Sequence, residues 1–359
     1  MAAPAGGPQS YGWRASCPRR RQARPRGYRS KACRYRPRAP RPASRHRSPL
    51  GYIRHTVPIS PALPASAGRR AATTARAYFL LTKPRVIELL LVTTVPAMVL
   101  AAGKLPSLWL ILAVLLGGAF AAGGANTINC WIERDRDQMM RRTHARPLPS
   151  GAIKPRDALV FGLVLEAAAF VWLWATVNPL AAALAVSAML FYVFVYTIWL
   201  KPRSPQNIVI GGAAGAVPVL VGWAAVTGRL DAPAWVLFAI VFCWTPPHFW
   251  ALALRYRDDY AAAGIPMLPV ARGVAVAARH IAVYAVIVVA VTLSLLWFRE
   301  MGPVYVVTAL VLGTAFIARA VHLVRETTPA RAIQLFAFSN TYLALLFAAI
   351  ALDTLLRAP

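Results

Sequence analysis

The sequence predicts an all-α integral membrane protein of about nine transmembrane helices, and three observations carry that fold class. The chain of 359 residues is 58% hydrophobic and 14% charged, whereas a soluble domain is about 45–50% apolar and about 25% charged. Its mean hydropathy is +0.51. From residue 86 onward the apolar residues gather in blocks of roughly 17–25, the length that crosses a bilayer as helix. Basic residues between those blocks favour every second loop.

Residues 1–76 come first and differ from the rest. They hold eighteen of the forty basic residues and no Asp or Glu, the first acid being Glu88. Rich in Arg, Pro, Ser, Ala and Gly, they carry too little apolar surface to offset the entropy of ordering them. The expectation is a disordered basic tail, part of which a mis-assigned start of translation would explain, followed by a membrane domain over 77–359. A tail held near anionic lipid is physically easy. A transit peptide suits the Arg-rich, acid-poor composition, but the prolines break its amphipathic helix. No aromatic spacing or folded module supports a nucleic-acid arm, so no nucleic-acid partner is expected.

Nine apolar blocks follow, over residues 86–103, 107–132, 157–177, 179–200, 206–227, 232–254, 279–298, 303–324 and 333–356. Backbone amides in hydrocarbon must bond internally, so the blocks are helices embedded in the lipid bilayer. Small residues recur inside them, as in GGAFAAGG (117–124) and GGAAGA (211–216), which allows close helix approach where lipid gives no hydrophobic drive. Cys17, Cys33, Cys130 and Cys243 lie far apart with no CxxC spacing, so no disulfide framework or metal–thiolate site is indicated. Loops after the even blocks carry fifteen Arg and Lys residues, against Lys104, Arg229 and Arg299 after the odd ones. The positive-inside rule then puts the N-terminus and the even loops on the cytoplasmic side of the cell (inner or plasma) membrane.

The acids are few, so their placement is informative. Six of the twelve lie in or beside two even loops: Glu133, Asp135, Asp137 and Asp157 after the second block, Asp258 and Asp259 after the sixth. Asn129, Glu133 and Asp137 are spaced four apart, which sets three oxygen-bearing side chains on one helix face, drifting about 40° per step. Like charges at that spacing repel, so the ladder needs a cation. Oxygen ligands of this kind suit Mg²⁺ sharing its sphere with substrate phosphates. The bland alternative is a solvated helix end with intrahelical salt bridges to Arg134, Arg136 and Arg141. It is weakened because the cluster directly continues an apolar span, where ionisable groups are functional candidates.

Asn129-x-x-x-Glu133-x-x-x-Asp137 resembles the NxxxDxxxD metal–diphosphate motif of the UbiA superfamily of intramembrane prenyltransferases. The string from Asn129 through RDRD to RPLP (146–149) looks like the branch of that superfamily whose acceptor is heme. So do TKPRV (82–86), KPRSPQNIVIGGAAG (201–215), and WTPPHFWALALR (244–255) leading to GIPMLPV (264–270). The likeness covers about residues 78–356. It implies a UbiA-type bundle that ionises farnesyl diphosphate and alkylates a vinyl group of heme b, water completing the hydroxyethylfarnesyl substituent of heme o. Heme b is then substrate rather than cofactor, and a heme A synthase or an oxidase assembly factor is a candidate partner.

On this likeness Asn129, Glu133 and Asp137 hold Mg²⁺ and act catalytically with Asp259. Lys83, Arg85, Arg134, Arg141, Arg146, Lys201 and Arg203 form the pool of diphosphate partners, joined by Asp258 and His248 as substrate contacts. Many of the basic residues also serve simply to set topology. Two departures from the superfamily pattern stand out. Glu133 replaces the usual Asp, and Asp258 and Asp259 are adjacent where relatives space two acids four apart. His248, roughly where the earlier acid belongs, is either an iron ligand or a packing histidine. Rival readings are a quinone precursor or other aromatic ring as acceptor, and a multi-span transporter. A transporter more often shows broken helices with midplane charges, whereas here only Glu88 and Glu166 lie well inside blocks.

Overall fold

The structure, a computed structural model, describes residues 67–358, and every regular element among them is a helix. In chain order these are α1 (Ala67–Leu81), α2 (Pro84–Ala102), α3 (Leu108–Met139), α4 (Pro155–Thr176) and α5 (Pro179–Leu190). A π-helical segment, Phe191–Leu200, continues α5 without a break. Then come α6 (Asn207–Thr227), α7 (Ala232–Arg255), the short α8 (Arg257–Ala262) and α9 (Leu268–Ala271), α10 (Val274–Phe298), α11 (Pro303–Arg325) and α12 (Pro329–Leu356). The expected disorder of residues 1–66 lies outside the described residues. The last ten positions of the segment read as a tail, 67–76, belong instead to α1. Its run AGRRAATTAR is rich in alanine and free of proline, so helix propensity wins there.

Among the described residues, eight helices are long and apolar enough to cross a membrane: α3, α4, α5 with the π segment, α6, α7, α10, α11 and α12. The remaining expected span, the first in chain order, is α2 (Pro84–Ala102), of which Leu91–Ala102 stands as a shorter apolar helix. Prolines at the first or second position start α2, α4, α5, α7, α11 and α12, where the missing N–H has no intrahelical partner to lose.

The helices close into a ring. α3 packs on α4, α4 on α5, α5 on α6, α6 on α7, α7 on α10, and α10, α11 and α12 on one another in turn; α2 closes the circuit against α3, α6 and α12. Glycine makes the tightest approaches possible. A Cβ on Gly124 of α3 would stand 2.8 Å from the Gly162 carbonyl oxygen of α4, and one on Gly211 of α6 would overlap the Tyr196 ring. Large apolar side chains such as Val171, Trp297 and Val311 remain exposed on the spans, the outward face that a bilayer covers.

Candidate functional site

α3 is the element that builds the site. At 1.5 Å per residue its 32 residues span about 48 Å, well beyond the ~30 Å hydrocarbon core. Its last turns therefore project past the apolar block, and they carry Asn129, Glu133 and Asp137. All three are buried, at 1%, 4% and 1% exposure. That decides against a solvated helix end. Nor do the ladder carboxylates pair within their own helix: Arg134 instead pairs with its exposed neighbour Asp135 at 3.6 Å and donates to the Trp131 carbonyl.

Each rung of the ladder is instead met by one cation from a different segment. Lys83 Nζ, at the junction of α1 and α2, donates to Oδ1 of Asn129 at 2.6 Å. Lys201 Nζ, just past the π segment, stands 2.5 Å from Oε1 of Glu133. Arg146 Nη1, in the loop between α3 and α4, donates to Oδ2 of Asp137 at 2.8 Å. Lys83 reaches inward because its backbone is left-handed, with φ 55° and ψ 62°, a conformation that costs a non-glycine residue on the order of 1–3 kcal/mol and clusters at functional sites. Asn126, one turn before the ladder, secures the junction by donating to the Thr82 carbonyl at 2.9 Å.

The π segment supplies the opposite wall. Thr197 Oγ1 has one proton, which it donates to the Tyr192 carbonyl at 2.8 Å, and it accepts from Asn129 Nδ2 at 3.1 Å. That pairing orients the Asn129 amide so that its oxygen faces Lys83. Tyr192 and Tyr196 stack at 5.5 Å, and the Lys201 ammonium lies 5.6 Å from the Tyr196 ring. π-helical turns favour functional sites, and the wider turn here brings Thr197 and Lys201 to α3.

The charges are uneven. Burial holds the Lys83 ammonium below the usual lysine range, with Arg146 and Lys201 adding repulsion and Glu133 opposing. Burial acts the same way on Lys201, but the Glu133 carboxylate outweighs it and raises that ammonium. Burial also disfavours charge on Arg146, and Asp137 overcomes it. One ladder oxygen has neither a hydrogen bond nor an ion pair, Oδ1 of Asp137; Oε1 of Glu133 also lacks a hydrogen-bond partner but faces the Lys201 ammonium. No trio of His, Cys, Asp and Glu side chains gathers among the described residues, since the ladder is two carboxylates and an amide. That set of hard oxygens, with one buried acceptor free, fits Mg²⁺.

Below the ladder lies an apolar cavity of about 180 Å³, lined by Gly118, Ala121, Ala125, Asn126, Tyr192 and Gly215 among others. A larger groove of about 960 Å³ runs between α1, α2, α3 and α4, lined mostly by apolar side chains with Glu88 and Asp157. It touches no ladder residue, so size alone does not make it the site.

The other sequence candidates fall elsewhere. Arg85 and Arg141 are exposed. Arg203 caps the π segment through the Ile198 and Trp199 carbonyls. Asp258 is exposed and Asp259 half-buried at the start of α8, neither in an ion pair among the described residues. Their loop does meet the ladder's loop, through the Arg142 guanidinium over Tyr256 and Tyr260. His248 packs between Trp244 and Phe336, ring centroids 4.1 and 4.4 Å away, with Nδ1 2.7 Å from Ser339 Oγ. Asn126, Thr197, Tyr196 and Ser339 were not singled out from the sequence; only Asn126, a polar residue in an apolar run three before Asn129, offered a signal.

A ring of membrane-length helices, with buried carboxylates faced by cations above an apolar pocket, defines an intramembrane enzyme for substrates with an anionic head and an apolar tail. The chain belongs to the UbiA prenyltransferase family, whose profile matches residues 90–346. It is 52% identical over 294 residues to protoheme IX farnesyltransferase 2 of Saccharopolyspora erythraea, covering 81% of this chain and 90% of that relative. To protoheme IX farnesyltransferase of Frankia alni it is 54% identical over 279 residues, covering 77% and 96%. Among solved structures, digeranylgeranylglyceryl phosphate synthase aligns with a TM-score of 0.65 at 19% identity, over 78% of this chain and 98% of that one. A UbiA homolog from Archaeoglobus fulgidus bound to GPP and Mg²⁺ aligns with a TM-score of 0.55 at 19% identity, over 76% and 99%. Those two likenesses speak to the fold.

Proposed function

We propose that this chain transfers the farnesyl group of farnesyl diphosphate to a vinyl group of protoheme IX (heme b), giving heme o. The observation that carries the chemistry is the buried ladder met rung by rung by Lys83, Lys201 and Arg146 above an apolar cavity. The acceptor rests on relatives more than half identical over most of the chain.

In the reaction the C1–O bond of farnesyl diphosphate breaks and both electrons leave with diphosphate. The vinyl π electrons form the new bond to C1. The cation left on the porphyrin side chain takes the oxygen of a water, which releases a proton. Asn129, Glu133 and Asp137 hold Mg²⁺, which when bound supplies electrostatic stabilisation of the leaving group. Lys83, Lys201 and Arg146 are the diphosphate partners, with Arg146 offering bidentate contacts. Arg85, Arg134, Arg141 and Arg203 stand at the periphery and chiefly set topology. The cavity keeps water from the allylic cation until the carbon–carbon bond has formed. Asp258 and Asp259 act from the loop that meets the ladder's loop through Arg142, and His248 contacts heme iron. The ladder faces the cytoplasm, from which a water-soluble diphosphate head reaches it. Residues 1–66 contribute no chemistry.

The test is pigment analysis of membranes with and without the chain expressed. A farnesylated heme appearing only with the chain supports the reading. Prenylation of a phenolic ring, with heme b unchanged, would overturn the acceptor while leaving the prenyl transfer.

A further inference from the structure

Ser339, on α12, accounts for the orientation of the one histidine among the described residues that lies between two aromatic rings. The Ser339 hydroxyl has a single proton, and two neighbours lie 2.7 Å away: the Phe336 carbonyl and His248 Nδ1. A carbonyl can only accept, so the proton goes to Phe336. Ser339 Oγ must then accept from His248, which places the imidazole proton on Nδ1 and the lone pair on Nε2. The rest of the surroundings fix the ring. Trp244 and Phe336 stack on its two faces at interplanar angles of 21° and 27°, and Trp244 Nε1 donates to the Ser339 carbonyl at 2.8 Å. The Phe336–Ser339 turn of α12 thus sets both the tautomer and the plane of a side chain on α7. A histidine that only fills space also needs an acceptor for its buried N–H, but it needs no open second nitrogen. A neutral imidazole with one nitrogen bonded to a fixed acceptor and the other free is the arrangement that binds metal, and losing such a partner costs 10–100-fold in metal affinity.

The geometry points to Ser339 as the positioning residue that presents His248 Nε2 to the iron of the porphyrin acceptor. This rests on the reading of His248 as a heme contact, and the test keeps the two apart. Full-length protein in detergent is titrated with ferric heme b, following the Soret band and the electron paramagnetic resonance of the iron. A non-hydrolysable farnesyl diphosphate analogue is titrated in parallel. Ser339→Ala is expected to weaken heme binding roughly tenfold or more and to mix the axial ligation, with analogue affinity unchanged. Ser339→Thr, which keeps the hydroxyl, restores both signals. If His248→Ala leaves heme affinity and spectrum as they were, the histidine reading itself is overturned. If His248→Ala abolishes the ligation but Ser339→Ala leaves it intact, the histidine stays a ligand and the role of Ser339 is overturned. Loss of heme, analogue and thermal stability together in Ser339→Ala, with no recovery in Ser339→Thr, makes Ser339 a packing residue and likewise overturns the proposal.

Discussion

Arg146 donates to Oδ2 of Asp137 at 2.8 Å and leaves the other oxygen of that carboxylate, Oδ1, buried with no partner. A buried acceptor without a donor costs about 1–3 kcal/mol, and most such groups in native proteins are satisfied. Half of Asp137 is therefore neutralised within the protein while half remains available to a ligand.

Asp137→Asn, which keeps the shape but lowers the charge, is expected to reduce product formation by more than tenfold, a barrier increase of at least about 1.4 kcal/mol. Asn129→Ala should be as severe, because it removes the amide oxygen and frees Lys83 and Thr197 from their partner. Chelator should silence the enzyme and Mg²⁺ restore it. Full turnover in excess EDTA would falsify the metal assignment, and a loss smaller than tenfold at either residue would remove it from the ligand set.

The Glu133–Lys201 pair separates folding from chemistry. Both side chains are largely buried, at 5% and 12% exposure, and removing one partner of a buried pair costs about 3–5 kcal/mol. Glu133→Ala should thus lower the melting temperature in detergent markedly. Combining Glu133→Gln with Lys201→Met removes the stranded charge, so the melting temperature should recover while turnover stays lost. Recovery of turnover in the double variant would show that the pair only holds the fold.

The ladder was legible in the sequence because its chemistry lies within nine residues of one helix, where spacing alone fixes a face. Its partners were not. Lys83 and Arg85 are two residues apart and chemically equivalent on paper, yet only the left-handed backbone at Lys83 turns a side chain inward. Arg146 and Arg141 share a loop, and burial rather than composition separates them. Thr197 escaped notice because the π segment departs from the 3.6-residue period on which a sequence reading depends. Eight of the nine spans expected from hydropathy recur as membrane-length apolar helices among the described residues.

The pH dependence follows from Lys83. Its ammonium is held below the ordinary lysine value by burial, so it loses its proton, and its charge toward a diphosphate, earlier as pH rises. Lys201 is raised and keeps its charge. The alkaline limb of kcat/KM should therefore fall at a pH below the usual 10.5 of lysine, and Lys83→Arg should move that limb upward. An unchanged limb in Lys83→Arg would assign it to another group.

Deleting residues 1–66 should leave turnover within a factor of a few. The family match begins at residue 90 and, among the described residues, the first side chain at the ladder is Lys83, so the truncated protein keeps every group assigned to the site. A truncated protein that inserts normally but loses turnover would show that the segment acts in the reaction.

Chain-length selection is the last prediction, and depth along α3 sets it. Ala125 and Gly118 both line the apolar cavity, four and eleven residues before Asn129. At 1.5 Å per residue they stand about 6 Å and about 16 Å below the ladder. A side chain added near the top meets any prenyl tail, whereas one added low meets only a long tail. The nearest atom to a Cβ at Gly118 is Leu91 Cδ2 at 3.4 Å, an ordinary contact, so Gly118→Ala should be tolerated and Gly118→Leu should fill the lower cavity. Ala125→Leu is expected to depress kcat/KM for geranyl and farnesyl diphosphate alike. Gly118→Leu should depress farnesyl selectively, shifting the farnesyl-to-geranyl ratio by roughly tenfold or more, within the 1–3 kcal/mol that a methylene-scale steric change in an apolar pocket commands. Equal losses for both substrates in Gly118→Leu, with melting temperature preserved, would mean that the tail does not descend along α3.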